Sequence, residues 1–249
     1  KFKIKFYWVS IEILECLCLN ELMIYKLCYV FFLLFFSFFL LSCKSELIEL
    51  DIATDDILDV INGKESDIEF ESVFSLISEL DDETKMQLEK MEIVAEKYAS
   101  IDDFDVTEGE YLGLNISVEG EIPMIYNSNG SIDNSITSPW VLLISDNDFS
   151  GSLSDYKYKL EFVTTPSYAA FDGELQNINF MLTADEFQPV KFKIKNKHDG
   201  KFEIFTGAVE TDGESLTLLE TAVEKRISLT MKEGIYNKTN QVIYFNIIN

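Results

Sequence analysis

The chain has 249 residues and carries 20 lysine and arginine residues against 44 aspartates and glutamates, a formal net charge of −24. Such a charge repels DNA, RNA and anionic lipid, and favours basic or cationic partners. There is one histidine and there are four cysteines, none beyond Cys43. That leaves no ligand set for a His/Cys zinc site, a lone turn histidine, His198, as the base a Cys–His or Ser-His-Asp nucleophile would need, and no disulfide after Cys43.

Residues 1–22 lack an initiating methionine, whereas Met23 opens Met-Ile-Tyr-Lys ahead of an uncharged apolar run over 27–41. Residues 1–22 therefore read as sequence upstream of the true start, with a longer membrane-associated leader as the alternative. At 1.5 Å per residue the run makes a helix of about 22 Å, short of the ~30 Å hydrocarbon core. It reads as the apolar centre of a signal peptide over 23–42, ahead of an uncleaved anchor or a buried core helix. Leu40-Leu41-Ser42-Cys43 closes it.

Residues 23–43 resemble the type II signal peptide of bacterial lipoproteins. Leu40 and Ser42 match the small-residue box, and Cys43 stands where the chain is cut and acylated. The resemblance implies a lipid on Cys43, with palmitate among its acyl chains, and a membrane anchor. One chain would hold a protein only reversibly, and this family is multiply acylated. The chain as a whole looks like spirochaetal surface lipoproteins. That implies the outer membrane and a surface-exposed antigen, with a periplasm-facing structural or envelope-assembly protein as the alternative.

The expected fold class is α+β. A helical hairpin neck follows the signal segment, and an antiparallel β-sandwich or barrel-like domain follows the neck. Residues 43–65 are expected to be a tether with a short helix, capped by Thr54, with Asp55 and Asp56 in its first turn and Gly63 as its stop. Residues 66–105 read as the hairpin. Val73, Phe74, Ile77 and Leu80 share one helical face, and Asp81-Asp82 can cap a second helix carrying Met86, Leu88, Met91, Val94, Ala95 and Tyr98.

Over 106–249 the period changes to two. Expected strands carry Leu114, Ile116 and Val118; Trp140 to Ile144; Tyr156, Tyr158, Leu160 and Phe162; Leu175, Ile178, Phe180 and Leu182; and Val190, Phe192 and Ile194. His198-Asp199-Gly200 is expected to turn the last of these into a hairpin with 201–205. Residues 227–231 and 242–248 are expected to make a final pair. Residues 215–224 fit a short helix or a strand equally.

Candidate chemistry is sparse. Asp146, Asp148, Ser150, Ser152 and Ser154 place oxygen side chains where an EF-hand-like calcium loop would, with Gly151 at its turn. Lys157 stands where the bidentate glutamate belongs, so a weak calcium site competes with a polar hairpin loop. No other cofactor is expected. Two loops are candidate binding loops, 126–139 with Tyr126 and Asn129, and 165–173 with Tyr168 and Phe171. Trp140 is expected in the core. The expected function is a non-catalytic binding module for host or envelope proteins; a carboxylate-based glycan hydrolase is the third choice, because 41 acids after residue 42 guarantee chance pairs.

Overall fold

Alternating burial builds the wall of this protein. The computed structural model describes residues 43–76, 78–109, 113–148, 153, 155–179, 182–183, 190–231 and 242–248, without the side chains of 43–47, 75, 182 and 183. The expectations for 1–22 and 23–42 lie outside the described residues. The strands are β1 (Cys43–Ala53), β2 (Ser66–Leu76), β3 (Ser100–Glu108), β4 (Leu114–Tyr126), β5 (Trp140–Asp146), β6 (Tyr158–Thr164), β7 (Leu182–Thr183), β8 (Val190–Lys195), β9 (Lys201–Thr211), β10 (Glu214–Val223), β11 (Arg226–Met231) and β12 (Val242–Ile248). The helices are α1 (Thr54–Ile61), α2 (Asp82–Tyr98) and α3 (Tyr168–Ile178).

The fold is mostly β, and nine strands close into a barrel. Their order is β9-β11-β8-β1-β2-β4-β5-β6-β12 and back to β9, with β10 added to β9, β3 to β4 and β7 to β1. Of the two architectures expected, the barrel is the one formed. Its pairing is not wholly antiparallel, because β1 runs parallel to β8 and to β7, and β4 parallel to β5. The circuit and its core lie within Cys43–Asn249, a compact unit that needs nothing upstream to close it.

Two expectations before residue 80 are corrected. Residues 43–53 are no tether but a wall strand, because Ile48, Leu50 and Ile52 are buried while Glu49 and Asp51 face out. Residues 66–76 are a strand and not the first arm of a helical hairpin. Ile68, Phe70, Phe74 and Leu76 point inward at period two, and the polar but buried Ser72 hides that period from a reading of the sequence. The second arm does form, as α2, and Asp81 caps it by accepting the Thr84 amide at 2.8 Å. Its antiparallel partner is α3, through Asn179 Nδ2 to Gln87 Oε1 at 3.0 Å and Tyr98 Oη to Glu174 Oε1 at 2.8 Å.

The helices sit where the wall is incomplete. One edge of β4 pairs with β3 over 114–121 and with β5 only over 124–126. Met91 and Ala95 of α2 and Phe171 and Leu175 of α3 pack beneath that split against Phe70, Val118 and Trp140. They leave an apolar void of only about 20 Å³, room for one water and no ligand. Gly120 lies at the same place. A Cβ there would come 2.1 Å from the Ser100 carbonyl oxygen, which is backbone and cannot swing aside. Gly120→Ala is therefore expected to cost about 2–3 kcal/mol by forcing β3 away from β4, read from the urea midpoint of residues 43–249.

Three more corrections concern connections. His198-Asp199-Gly200 does not make a β8–β9 hairpin, since β11 lies between those strands. Residues 227–231 and 242–248 do not pair with each other; β11 pairs with β8 and β9, and β12 with β6 and β9. The tight hairpin is β9–β10, where Asp212 (φ 50°) and Gly213 (φ 80°) form a two-residue turn with both φ positive, the Asp-Gly signature of a type I′ turn. Residues 175–178, expected as the start of a strand, are helix, with Leu175 and Ile178 following Phe171 at helical spacing.

Candidate functional site

The outward residues of β8, β1, β2, β4 and β3 form one flank of the barrel, and their register sets its chemistry. Residues directly opposite in a ladder project from the same face, with neighbouring strands about 4.8 Å apart. One row runs Lys191, Glu49, Glu71, Glu119, Asp103. The next runs Lys193, Asp51, Glu69, Glu121, Ser100. Carboxylates thus stand opposite carboxylates across three strand junctions, an arrangement that costs stability.

Basic residues neutralise one side only. Glu49 accepts from Lys191 at 2.7 Å and also pairs with Lys193, and Asp51 pairs with Lys195 at 2.8 Å. Burial raises the Glu49 pKa, but the hydrogen bonds from Lys191 and Lys193 outweigh it and hold the carboxyl below its ordinary value. The stability from those contacts is therefore present above the ordinary carboxylate range and lost as pH falls below it. Among the described residues no direct ion pair reaches Glu69, Glu71, Glu119 or Glu121; Glu71 accepts a long hydrogen bond from Ser117 Oγ, at 3.4 Å, and lies within the field of Lys193. Glu49, Asp51, Glu69, Glu71, Asp102 and Glu119, with Lys193 among them, line a groove of about 320 Å³. A second groove, of about 200 Å³, continues past Asp67 and Glu121 to Lys195 and Lys197.

This flank was missed in the sequence, though its signal is present. Acids alternate with apolar or small residues in Glu49-Leu-Asp51, Asp67-Ile-Glu69-Phe-Glu71 and Glu119-Gly-Glu121. Each reads as a solvated strand face alone; only the register brings them together.

The residues expected to bind are placed differently. Tyr126 ends β4 half-buried, edge-to-face with Tyr158 at 6.3 Å, and its hydroxyl donates to Asp146 Oδ1 at 2.9 Å. Asn129 is exposed, and its Oδ1 accepts the Ser131 amide at 2.9 Å in a loop stapled by its own Asx turns. Phe171 is not in a loop but buried in α3, and Tyr168 opens the same helix beside Trp140 at 6.4 Å. The expected loop 165–173 is thus helix from Tyr168 onward. Of the calcium-loop candidates, Ser150, Ser152 and Ser154 lie outside the described residues. Asp146 holds Tyr126, and Asp148 pairs with Lys159 at 3.2 Å, which lowers its pKa. Among the described residues no group of three or more His, Cys, Asp or Glu side chains is arranged for a metal. Cys43 opens β1, and its side chain lies outside the described residues.

Two polar hubs hold the loops around this barrel. Thr54, expected as a helix cap, is instead fully buried; its hydroxyl donates to Asn196 Oδ1 at 3.0 Å and accepts the Lys197 and His198 amides. Tyr156 donates to Glu220 at 3.2 Å, and burial followed by that acidic partner pushes its hydroxyl up to about 12. A raised folded value means stability that is full below the free tyrosine value near 10 and lost as pH rises through about 12. Spectroscopic titration of tyrosinate is expected to show a late step that Tyr156→Phe removes.

No protein-family model, no curated protein and no solved structure matches this chain. No helix among the described residues is long and apolar enough to cross a membrane.

Proposed function

We propose that this chain is a bacterial lipoprotein, held in the outer membrane by a lipid on Cys43 and displayed at the surface. Its barrel binds a cationic protein segment along the acidic flank and performs no catalysis. The observation that carries the binding reading is the register of β1, β2 and β4, which keeps Glu69, Glu71, Glu119 and Glu121 together with no direct ion pair to a basic residue among the described residues. Opposed carboxylates lower stability, and a lysine- or arginine-rich strand lying across them would relieve the repulsion and be steered there by complementary charge. The anchoring reading is supported by the apolar run ahead of Ser42-Cys43 and by the absence of any later cysteine in the sequence. Since β1 begins at Cys43, a lipid there would tie the barrel to the membrane without a spacer.

Mass spectrometry of the chain extracted from membranes tests the anchor. The expected result is a mature N-terminus at Cys43 that carries acyl chains. An N-terminus that retains residues 23–42 would overturn it.

A further inference from the structure

We infer that the cationic segment seats one arginine in a cleft at the end of the acidic flank, a reading that rests on the flank itself being the binding surface. The cleft lies between the C-terminal turn of α2 and the 135–138 loop and measures about 460 Å³, the size of a small-ligand site. It opens where one edge of β4 passes from β3 to β5, and Pro123, between those two pairings, forms part of its floor. Its walls are fixed by the fold. The Ile136 carbonyl accepts from Ser167 Oγ at 2.7 Å, the Ser138 carbonyl from Thr165 Oγ1 at 2.6 Å, and the Ser135 amide donates to Asp133 Oδ1 at 2.8 Å. Opposite them, the Tyr98 hydroxyl is held by Glu174. A ligand therefore has little ordering of the site to offset.

Two kinds of surface meet in the cleft. Tyr98, Pro123 and Ile136 are half-buried and largely apolar, while Asp67, Glu96 and Glu121 are exposed carboxylates. Lys97 also lines it, but donates to Glu174 at 2.6 Å, and that pair neutralises its charge. Acids above an apolar floor fit a long aliphatic stem that ends in a cation. The stem covers the floor and the head meets the carboxylates. Arginine suits the cleft better than lysine, because its planar fork of five donors reaches carboxylates on different elements and is the more weakly hydrated head. Here those carboxylates come from β2, β4 and α2. The cleft also continues the flank. It shares Asp67 and Glu121 with the groove of about 200 Å³, which in turn shares Asp51 and Glu69 with the groove of about 320 Å³. Along β2, Asp67, Glu69 and Glu71 share one face at roughly 6.8 Å spacing, which is also the spacing of alternate side chains in an extended peptide. A segment with basic residues at every second position thus lies along β2, and its end reaches the cleft.

The test uses residues 43–249 with Cys43→Ser, a unit with its own closed circuit and no other cysteine, and two fluorescein-labelled peptides. One alternates lysine with threonine and carries arginine at both ends, so that either direction along β2 brings an arginine to the cleft. Its twin carries citrulline, of equal length and no charge, in place of both arginines. The twin is expected to bind the parent chain at least about tenfold more weakly. In Asp67→Asn/Glu96→Gln that penalty is expected to shrink to about twofold, since the arginine loses its carboxylates. In Glu71→Gln/Glu119→Gln, which alters the flank outside the cleft, both peptides are expected to weaken together and the penalty to persist. An undiminished penalty in Asp67→Asn/Glu96→Gln, or a parent chain that binds the twins equally or not at all, would overturn the cleft. Peptide affinities untouched by Glu71→Gln/Glu119→Gln would instead overturn the flank reading and leave the cleft supported by its own coupling.

Discussion

Replacing Glu69, Glu71, Glu119 and Glu121 with glutamine is expected to make the barrel more stable and its binding weaker. Each of these carboxylates stands opposite another acid in the ladder, and together they account for the pairs Glu49–Glu71, Asp51–Glu69, Glu69–Glu121, Glu71–Glu119 and Glu119–Asp103. Like charges in direct opposition cost a few tenths of a kcal/mol each, so removing them all is expected to add about 1–2 kcal/mol at low ionic strength. The gain shrinks only gradually as salt is raised, because the ~4.8 Å strand spacing is shorter than the ~8 Å screening length at 0.15 M. Affinity moves the other way. A fluorescent lysine-rich peptide is expected to bind the parent chain with strong salt dependence and the quadruple variant at least about tenfold more weakly. A chain that retains a destabilising arrangement because the arrangement works is the common trade between stability and function. Equal peptide affinity in parent and variant would remove the flank as the binding surface and leave the acids as an unfavourable solvated face.

Trp140→Ala is expected to cost about 3–5 kcal/mol, enough to unfold a domain of ordinary stability. Trp140 opens β5 beside the split in the wall, 4% exposed. Its ring stacks on Phe162 at 6.2 Å, meets Phe171 edge-on at 5.4 Å, and lies 6.4 Å from both Phe70 and Tyr168. One side chain therefore joins β2, β5, β6 and α3. Its removal undermines α3, and through Phe171–Tyr98 at 5.5 Å also α2. Urea unfolding by circular dichroism measures the loss. Trp140→Phe is expected to recover more than half of it, because an aromatic ring still fills the junction.

Much of the wall was legible from alternation. β5, β6, β8, β11 and β12 follow runs of apolar residues at strand length or at period two, and α2 follows from Asp81 and a helical apolar stripe. Trp140 was legible as core. The failures have local causes. Ser72 interrupts the inward face of β2, so 66–76 read as a helix. In β9 the buried positions shift from Phe202, Ile204 and Thr206 to Val209 across Gly207-Ala208, where Ala208 takes φ 49° and the strand changes partner from β12 to β11. No periodicity survives such a shift, and the Asp212-Gly213 turn beyond it is flanked by no clear alternation on the β9 side, whereas His198-Asp199-Gly200 sits between two alternating runs. The acidic flank could not be read at all without the register, since its members come from strands up to some 70 positions apart in sequence.

Protease treatment of intact cells that express the full chain, with Cys43→Ala beside it, tests the central claim most directly. The account predicts that the barrel is clipped from intact cells and that Cys43→Ala sheds it into the soluble fraction. A barrel that resists until the outer membrane is opened would contradict surface display and turn the search for partners to the periplasm. A Cys43→Ala chain that stays in the membrane would contradict lipid anchoring itself.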